Sequence, residues 1–540
     1  MDRILIVGSG ASGVHFALSV LKKGYPVTML DVGWERPEPV NPEDNLNGLK
    51  ERLNDPVKYF LGDQFQAVVY PGSEEDFYSK YYGFPPSKKH VFSHPNEFEY
   101  EAQGFEPLIS FAAGGLAEAW TGGVYPLNDF DLKDFPFQYS DIETHYSEVA
   151  ARIGVNGSND DLARFFPLHD NLMQPLKFDQ HSDILMKVYK KHKTILNERY
   201  QAYIGRSRVA THSLDRGERK GCTYCGRCLW GCPSEAIYTP SITLRECFKY
   251  PNFNHISKLY VSHFKYNSEG RITSIVAKSL EDQQTQEFSA DVYVLAAGAL
   301  SSSKIFVESL FRATGEIIRL PGLMDNRQIL IPFVNLRMLG KAYDTESYQY
   351  HQLAIGIKSE KPEEYIHGQI TTLKSALAQP IIQNLPFDMN TSAFLFRNLR
   401  SCLGVVSLNF HDRRRDTNYL TLRNDPRTQW TKMIIQYKPA EHEAKLISQA
   451  INQVRGIMMK LGCFVPPWMV YVRPMGANVH YAGLIPMSDE KKPFTTSKFC
   501  QSHDFKNLFI VDGTTMPFLP AKNITFTLMA NAVRVAENAF

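Results

Sequence analysis

A glycine turn between two apolar runs, within residues 4–33, narrows the choice of folds for this chain at once. The segment reads ILIVGSGASGVHFALSVLKKGYPVTMLDVG. A first apolar run leads into the turn, an apolar-periodic helix follows it, and a second apolar run ends at Asp31. The order of strand, glycine turn, helix and strand is typical of a Rossmann unit. It predicts an α/β fold whose first part binds a nucleotide.

Each glycine of this turn has a predicted structural role. Gly8 permits the tight turn, Gly10 lets the backbone approach a pyrophosphate, and Gly13 lets the helix pack close to the strand. Asp31 lies where a carboxylate can accept hydrogen bonds from a ribose. A glycine turn without any ligand is the alternative for an isolated motif, but the strands, the helix and the acid together favour nucleotide binding. The pattern leaves FAD and NAD both open.

Chain length and net charge limit the classes of protein to which this chain can belong. At 540 residues the chain exceeds the size of one growing core, so we expect two or more domains with a cleft between them. A net charge of +2 implies neither nucleic acid nor an anionic membrane surface as a partner. We see no secretory signal and no apolar run of about 20 residues that could span a membrane. We therefore expect a cytoplasmic protein.

Four cysteines are packed into the stretch GCTYCGRCLWGCP, residues 221–233. Their spacing, C-x2-C-x2-C-x3-C-P, is that of bacterial ferredoxins and predicts an iron–sulfur cluster of the 4Fe–4S or 3Fe–4S type. A structural zinc site is the less favoured alternative. The predicted ligands are Cys222, Cys225, Cys228 and Cys232, with Cys247 as an alternative fourth ligand. The remaining cysteines are scattered and do not resemble a disulfide framework.

Other segments suggest further contacts to a flat ligand. FAAGGLAEAWTGGVYPL, residues 111–127, has four glycines and a tryptophan, which suits backbone close to a ligand but also suits a glycine-rich surface loop. A buried strand ending at Ala296, Ala297 and Gly298 predicts a second approach to the nucleotide. The C-terminal stretch predicts a strand, a turn at Asp512–Gly513 and a helix from about Thr525.

Several elements outside these motifs are also predicted. We expect an irregular segment with short helices over residues 34–98, a helix with a Ser140 cap over residues 140–155, and a hairpin over residues 258–280. Residues 325–470 mix strand-like and helical patterns, with helices expected near residues 371–385 and 443–462. We interpret this stretch as a second domain.

Taken together, the motifs resemble the GMC (glucose-methanol-choline) oxidoreductase family of FAD enzymes. The likeness rests, in order, on GSGASG with Asp31, GGLAEAWTGG, VLAAGAL, NVHYAGLIPM and DGTTMPFLPAKNIT. It implies FAD rather than a nicotinamide, with the flavin ring at a domain interface. The glycine-to-tryptophan loop looks most like that of the pyranose oxidase and bacterial glucose or gluconate dehydrogenase branch, which includes members with an iron–sulfur cluster.

The resemblance implies a domain division and the way in which FAD is held. An FAD-binding domain would comprise residues 1–324 and 466–540, including a cysteine-rich loop at 215–245. A substrate-binding domain of sheet and helices would comprise residues 325–465, which makes the chain α+β overall. Pyranose oxidases attach FAD to a histidine directly before the loop tryptophan. Since Ala119 occupies that position here, we expect noncovalent FAD.

The resemblance also implies catalytic residues. The family's base is the His of an H-x-x-G segment, which falls on His480, and its partner in the final loop falls on Asn523. A neutral imidazole suits proton abstraction near pH 7. Leu484 stands where the family usually has Thr. The predicted cofactor-binding residues are Gly8, Gly10, Ala11, Ser12, Gly13, Asp31, Gly114, Gly115, Trp120, Thr121, Val261, Ala297, Gly298, Asp512, Gly513, Ile524 and Thr525.

From these features we expect an FAD-dependent dehydrogenase that oxidises a secondary alcohol, on a sugar or sugar derivative. Electrons would leave through the cluster to a one-electron acceptor, either a protein or a small carrier. The alternatives are an oxygen-using oxidase with a structural zinc site, a non-catalytic flavoprotein or electron-transfer subunit, and a flavin-fold lyase.

Overall fold

The structure is a computed structural model that describes residues 1–35, 46–62, 65, 85–373, 382, 385–424 and 430–540. The described part of the irregular segment expected at 34–98 contains three short α-helices, Leu46–Arg52, Pro56–Leu61 and Lys89–Phe92, whereas the helix expected near 371–385 falls largely outside the described residues. The helices are α1 Ala11–Lys22, α2 Leu46–Arg52, α3 Pro56–Leu61, α4 Lys89–Phe92, α5 Glu143–Ile153, α6 Gln180–Arg199, α7 Pro240–Cys247, α8 Ala299–Thr314, α9 Met389–Leu399, α10 Glu443–Lys460 and α11 Thr525–Ala539.

The strands range from two to eight residues in length. They are β1 Ile4–Val7, β2 Val27–Leu30, β3 Tyr100–Gln103, β4 Val155–Asn156, β5 Leu172–Met173, β6 Ala202–Arg206, β7 Phe253–Ile256, β8 Leu259–Tyr266, β9 Ile272–Ser279, β10 Thr285–Phe288, β11 Val292–Leu295, β12 Leu320–Pro321, β13 Gln328–Asn335, β14 Leu353–Ile357, β15 Ile366–Thr372, β16 Leu403–Asn409, β17 Asp412–Arg413, β18 Tyr419–Asn424, β19 Thr431–Gln436, β20 Cys463–Phe464, β21 Tyr471–Val472, β22 Leu508–Ile510 and β23 Phe518–Leu519.

A parallel sheet forms the nucleotide-binding half. Its strand order is β22-β11-β1-β2-β7, and every neighbouring pair is parallel. The three central strands β1, β2 and β11 consist almost entirely of buried residues, as parallel strands covered on both faces require. Helices α1 and α11 pack against each other beside this sheet. The Rossmann unit predicted from the glycine turn is thus confirmed.

An antiparallel seven-stranded sheet forms the second large layer. Its order is β20-β13-β16-β15-β14-β6, and β21 also pairs with β13. Helices α6 and α10 cover one of its faces in a common apolar core. Because α6 and β6 belong to this layer, residues 180–206 pack with the second unit rather than with the parallel sheet. The domain limits stay a prediction, and these contacts favour assigning 180–206 to the second domain.

Two further sheets pack in the same apolar core as one face of the parallel sheet. One has the order β12-β18-β19-β3, and another is the meander β10-β9-β8. Strands β8 and β9 form the antiparallel hairpin predicted over residues 258–280. The predicted helix at 140–155 is α5, but its expected Ser140 cap is wrong. The reciprocal capping bonds are instead made by Gln138 and Asp141 in a 3₁₀ turn just before the helix.

Candidate active site

A cleft of about 1300 Å³ opens along the carboxyl ends of β1 and β11. The glycine turn that forms its floor is set by protein sterics. Gly8 has φ +100°, and a Cβ there would lie 2.7 Å from the Ala296 carbonyl oxygen. A Cβ on Gly13 would lie 2.1 Å from the Gly8 carbonyl oxygen. Only glycine fits these two positions, as the fingerprint predicts.

Gly10 differs from the other two glycines of the turn. The nearest protein atom to a Cβ on Gly10 would be 3.9 Å away, and Gly10 itself lines the cleft. Protein packing therefore does not require glycine here. A close-lying ligand does, at the N-terminus of α1, where backbone N–H groups favour a pyrophosphate. This cradle fits the FAD that the sequence predicts.

Ser9, which the sequence analysis missed, joins two predicted elements of the site. Its backbone N–H and its hydroxyl both donate to the Asp31 carboxylate, the former at 3.2 Å. Its Oγ also accepts from the Gly114 N–H at 3.1 Å. Burial raises the pKa of Asp31 to about 6, while the bonds from Ser9 oppose that shift. The glycine loop of residues 111–123 is thereby tied to the nucleotide turn.

Asp512 connects the C-terminal turn to the Ala297–Gly298 bend, the second segment predicted to contact the nucleotide. Its Oδ2 accepts from the Gly298 N–H at 3.0 Å and from the Ser302 hydroxyl at 2.5 Å. Ser302 Oγ in turn accepts from the Ala297 N–H at 3.1 Å. The Ala297–Gly298 bend and the Asp512–Gly513 turn therefore meet at one wall of the cleft.

Most of the predicted cofactor-binding residues line this cleft, together with His480. Gly13 lies beneath the turn and Gly114 lies behind Ser9. The structure does not place Trp120, Thr121 or Asn523 in the lining. The predicted residues found in the lining are Gly8, Gly10, Ala11, Ser12, Asp31, Gly115, Val261, Ala297, Gly298, Asp512, Gly513, Ile524 and Thr525.

The predicted catalytic residues, His480 and Asn523, lie side by side. Asn523 Nδ2 is 3.4 Å from His480 Nε2, and the Asn523 Oδ1 accepts from Gln369 Nε2 at 2.8 Å. His480 is 7% exposed, and desolvation lowers its pKa to about 4. Its imidazole is therefore neutral near pH 7, which is the form that can accept a proton.

A chain of amide donors reaches the other nitrogen of His480. Arg473 donates to Gln328 Oε1 at 2.6 Å, and Gln328 Nε2 donates to Asn478 Oδ1 at 2.8 Å. Asn478 Nδ2 then faces His480 Nδ1 at 3.0 Å. Since Arg473 can only donate, it fixes the direction of the whole chain. That direction favours His480 Nδ1 as an acceptor, with the ring proton on Nε2, whereas the Asn523 Nδ2 donor that faces Nε2 favours the opposite tautomer.

Buried charges hold the two catalytic segments in place. The Asp325 carboxylate accepts from the backbone N–H groups of Gly476, at 2.7 Å, and of His480, at 3.1 Å. Burial raises the pKa of Asp325 to about 7. Before Asn523, the fully buried Lys522 pairs with Asp131. Removing one partner of such a pair typically costs about 3–5 kcal/mol, so the loop is firmly fixed.

Backbone strain is present next to the catalytic histidine. Val479 adopts φ +61°, the left-handed region that β-branched residues rarely occupy. Such conformations cost on the order of 1–3 kcal/mol and persist where the surroundings impose them. The hydrogen bonds of Asp325 and Asn478 on either side of Val479 supply that constraint.

Two further histidines, which the sequence analysis missed, belong to the same site. His351 Nε2 and Gln369 Nε2 converge on Gly123, where a Cβ would lie 3.2 Å and 2.8 Å from them. His367 is fully buried and stacks edge-on to Tyr125, with ring centroids 4.3 Å apart. Desolvation lowers the pKa of both histidines to about 3. A single histidine on β15 and another just before β14 gave no signal in the sequence, because only the fold brings these two positions together.

These histidines carry polar atoms that the protein itself does not satisfy. Among the described residues, no hydrogen-bond partner is within reach of His351 Nε2 or of either ring nitrogen of His367. Buried polar atoms are normally paired, so unpaired ones indicate contact with water or a ligand. The site thus offers several hydrogen-bonding groups beyond the catalytic pair.

The four cysteines of the run are gathered at one side of a second cavity. Cys228 and Cys232 line it together with Trp120. The Cys228 Sγ accepts from the Gln349 N–H at 3.4 Å, and the Cys232 Sγ accepts from the Ile237 N–H at 3.5 Å. Burial raises the pKa of Cys222 to about 12 and that of Cys228 well above its ordinary value, and the neighbouring thiols add to both shifts.

The four thiols match an iron–sulfur cluster in donor type and in their backbone N–H contacts, which are typical of cluster sulfurs. All eight cysteines are free of disulfides. Cys247 packs instead in the core of the parallel sheet, with its Sγ 3.9 Å from the Val14 carbonyl oxygen. Within the described ranges, however, no three His, Cys, Asp or Glu side chains are arranged to hold a metal ion. The cluster stays a prediction.

Trp120 and Thr121 connect the glycine loop to the cysteine run. The Trp120 indole N–H donates to the Tyr238 carbonyl oxygen at 2.7 Å. The Tyr348 hydroxyl donates to the Thr121 carbonyl oxygen at 3.3 Å, and Tyr348 packs in one apolar cluster with Cys222, Cys228 and Cys232. The two motifs that the sequence places about 100 residues apart are therefore neighbours.

Comparisons with known proteins agree with this geometry. The sequence models described as GMC oxidoreductase match residues 205–319 and residues 414–532. No curated protein matches the chain significantly.

Solved structures with the same fold cover nearly the whole chain. Pyridoxine 4-oxidase from Mesorbium loti is 14% identical, with a TM-score of 0.60 and 99% of each chain covered. An FAD-dependent oxidoreductase from Chaetomium thermophilum is 13% identical, with a TM-score of 0.59 and 99% of this chain and 98% of the other covered. A formate oxidase variant from Aspergillus oryzae RIB40 is 10% identical, with a TM-score of 0.62 and coverages of 99% and 97%.

Within the part of the chain that the structure describes, no helix is both long and apolar enough to traverse a bilayer. The cleft, the glycine cradle and the two matched segments lead to one assignment. The chain belongs to the GMC oxidoreductase family and is an FAD-dependent oxidoreductase that acts on CH–OH donors.

Proposed function

We propose that this protein is a dehydrogenase that oxidises a secondary alcohol of a sugar or sugar derivative, with noncovalently bound FAD as the hydride acceptor. We further propose that Cys222, Cys225, Cys228 and Cys232 hold an iron–sulfur cluster. The observation that carries the first proposal is the contact between His480 and Asn523 beside the nucleotide cleft.

Bound FAD supplies the acceptor for the hydride that leaves the carbinol carbon. The protein supplies the means to handle the hydroxyl group. Asn523, fixed by Gln369, can donate a hydrogen bond to the substrate oxygen through Nδ2. His480 is buried and neutral, so water does not compete strongly for its ring nitrogens.

The direction of the amide chain adds a condition to the action of His480 as a base. To take the hydroxyl proton at Nε2, the ring must carry its own proton on Nδ1. The donor from Asn478 favours the opposite arrangement, with the proton on Nε2. Base action therefore requires the Nδ1–H tautomer, which the Asn523 Nδ2 donor at Nε2 favours and the Asn478 donor at Nδ1 opposes.

Support for a sugar-like substrate comes from the unpaired polar atoms of the site. His351 and His367 offer ring nitrogens without partners among the described residues. A simple monohydric alcohol would leave these atoms unsatisfied, at a cost of about 1–3 kcal/mol each. A substrate with several hydroxyl groups can pair with them.

Support for the cluster comes from the sulfur environment. Four thiols lie together without disulfides, and two of them accept backbone N–H bonds. When bound, an iron–sulfur cluster provides one-electron transfer. The four thiols adjoin the glycine loop through Trp120 and Thr121, which is where such a group would be useful to a flavin enzyme.

An oxygen-using oxidase with a structural zinc site is the second candidate. Within the described residues no three-ligand metal group is present, which bears equally on a cluster and on zinc, so the metal analysis below decides between them. Ala119 does not distinguish the two candidates. It stands where pyranose oxidases have the histidine that attaches FAD, so noncovalent FAD is expected for either one.

The test combines three measurements on protein purified without oxygen. Free, lipid-linked and nucleotide sugars are added anaerobically while flavin absorbance is followed, and iron, zinc and labile sulfide are determined. Bleaching by a sugar together with iron and sulfide supports the dehydrogenase. Bleaching with zinc and rapid reoxidation by oxygen supports the oxidase. Bleaching by no alcohol would contradict both and favour a non-catalytic flavoprotein.

FAD attachment is tested on the same preparation. We expect acid denaturation and filtration to release all yellow colour from the polypeptide. Colour that stays with the protein would contradict noncovalent binding. The cytoplasmic location expected from the sequence remains a prediction, to be checked by cell fractionation.

A further inference from the structure

The two faces of the seven-stranded sheet are built differently. Alternate residues such as Ile331, Phe333 and Val406 point toward α6 and α10 and are at most 1% exposed. The other face of the same strands carries the side chains that reach the catalytic pair, because Gln369 on β15 contacts Asn523. We call this second face the catalytic face of the sheet.

Register shows that the catalytic face starts with a polar row. Gln328, Asn409 and His367 lie opposite one another on β13, β16 and β15, so their side chains share one face. All three are buried. Gln328 leads through Asn478 to His480, so this row is the sheet's contribution to the active site.

The next row, two residues along the strands, is mixed. Gln369, Ser407 and Leu330 lie opposite one another, and Tyr471 on β21 extends the row beyond Leu330. Gln369 is 7% exposed, whereas Tyr471 at the far edge is 44% exposed. The face therefore opens toward solvent as it leads away from the catalytic pair.

Beyond this row the face becomes apolar and half-exposed. Pro332 lies opposite Val405, and Val334 lies opposite Leu403 and Phe464. The first four are half-buried and Phe464 is 49% exposed. With about 3.3 Å of rise per residue, the six steps from Gln328 to Val334 span roughly 20 Å.

Exposed apolar side chains continue past the end of the sheet. Leu336 and Leu339, which directly follow β13, are 53% and 52% exposed. Trp468, in the link between Phe464 and Tyr471, is 75% exposed. Apolar patches of this kind on a soluble chain mark binding surfaces. Strand register connects Phe464 and Tyr471, on either side of Trp468, to the rows of the sheet face that carries the polar groups near His480.

We propose that the catalytic face binds the apolar chain of the alcohol substrate, so that the substrate is an amphiphile with a hydroxyl-bearing polar head and an alkyl tail. The head would engage the Gln328–Asn409–His367 row and the catalytic pair, and the tail would lie over Pro332, Val334, Leu403 and Val405. This inference rests on the proposed oxidation of a polyhydroxylated head group. The order of polar and apolar rows on one face carries it.

The test measures binding of the tail separately from turnover. Holoenzyme is titrated calorimetrically with 1-butanol, 1-hexanol and 1-octanol as chain probes. We expect saturable binding that strengthens about two- to fourfold per added methylene, the gain for half to full burial of that group. Phe464→Asp and Val334→Asn should abolish the dependence on chain length. Ile317→Asp, at an apolar residue 52% exposed after α8, is the matched control.

A second arm uses turnover. Sugars that bleach the flavin are compared with their n-octyl glycosides below the micellar concentration, in the parent and in Phe464→Asp. The octyl chain should raise the apparent affinity in the parent only. Equal binding of all three alcohols, or unchanged binding in both variants, would overturn the proposal. So would concentration-dependent dimers in light scattering that Phe464→Asp dissociates, since a second copy would then be the occupant.

The two experiments distinguish a failure of the tail proposal from a failure of the proposed function. If free sugars bleach the flavin and the octyl chain has no effect, the tail proposal is wrong and the proposed function stands. If no sugar bleaches the flavin while alcohols still bind with chain-length dependence, the head group is wrong and the apolar site stands.

Discussion

The nucleotide turn at residues 8–13 and the cysteine run at residues 222–232 are both short, glycine-containing motifs with fixed spacing, yet they behave differently in the structure. The turn is complete in the protein alone, because steric contacts of Gly8 and Gly13 with the backbone set its shape. The cysteine run has its thiols gathered and partly hydrogen-bonded, but not arranged as metal ligands. A motif made of backbone is specified locally, whereas a motif made of side-chain donors is completed by what it binds.

Removing the thiols should have the largest effect, and it tests whether the cysteine run depends on a bound metal while the nucleotide turn does not. In Cys222→Ser, Cys225→Ser and Cys228→Ser we expect complete loss of iron, labile sulfide and the cluster EPR signal, because each removes a ligand. FAD content and bleaching by substrate should be unchanged, since the turn is independent of the run. Metal analysis, EPR and flavin spectra of anaerobic preparations measure this.

Cys247→Ser is the matched control, because Cys247 lies in the core of the parallel sheet. It should keep all iron. Iron that persists in the Cys222→Ser, Cys225→Ser and Cys228→Ser variants would show that the run is not the ligand set.

The catalytic pair lies between these two cases, since its residues are side chains held by the protein itself. In His480→Ala we expect FAD to remain bound while flavin reduction by substrate slows about 10²–10⁴-fold, the usual worth of a general base. Asn523→Ala should slow it less. Anaerobic stopped flow gives the rates, with His442→Ala, at an exposed helix end, as the control. Unchanged reduction in His480→Ala would remove this residue from the mechanism.

The buried histidines should make the free energy of unfolding depend on pH. The pKa of His367 is lowered to about 3 by burial, so the unfolded chain binds a proton below about pH 6.5 that the folded protein does not. Folding therefore weakens as pH falls from 6.5 toward 3, by about 2 kcal/mol for this group at pH 5. His367→Gln should reduce the stability lost between pH 7.5 and pH 5 by that amount.

Urea unfolding followed by far-ultraviolet circular dichroism at the two pH values measures this difference, and His442→Gln serves as the control. If both variants lose as much stability on acidification as the parent does, His367 is not buried in the neutral form.

The smallest expected effect concerns the tautomer of His480. Asn478→Asp would place a carboxylate at Nδ1 that accepts from Nδ1–H, so that Nε2 is free to take the hydroxyl proton. We expect flavin reduction to be faster by about two- to tenfold, equivalent to about 0.5–1.5 kcal/mol for one hydrogen bond. Anaerobic stopped flow measures it, with Asn478→Ala for comparison. A slower Asn478→Asp enzyme would mean that the amide does not limit the base.

Much of the nucleotide half could be predicted because its signals are local. The glycine turn, the hairpin of β8 and β9, and the bend at Ala297–Gly298 each depend on neighbouring residues and their periodicity. Asp31 and Asp512 were also predicted in their correct places on the cleft, although the bonds that hold them, from Ser9 and Ser302, were not.

The second sheet was much harder to predict, because its part of the site depends on pairing between distant strands. His367, Gln328 and Asn409 form one row only after β13, β15 and β16 are aligned in register. Strand β6 joins this sheet from a stretch more than 120 residues before β13, so no local pattern marks the domain limit. Trp120 follows the glycines in sequence but faces the cysteine run in space.

The anchoring of His480 has a consequence for how the enzyme is assembled and lost. Its ring is held through Asn478 by Gln328 on β13 of the second sheet, whereas the FAD cradle belongs to the parallel sheet. We therefore expect catalytic competence to require both layers in contact and to be lost when they separate. A partly denatured enzyme would stay yellow and yet be inactive, so colour reports on the nucleotide half and only turnover reports on the complete molecule.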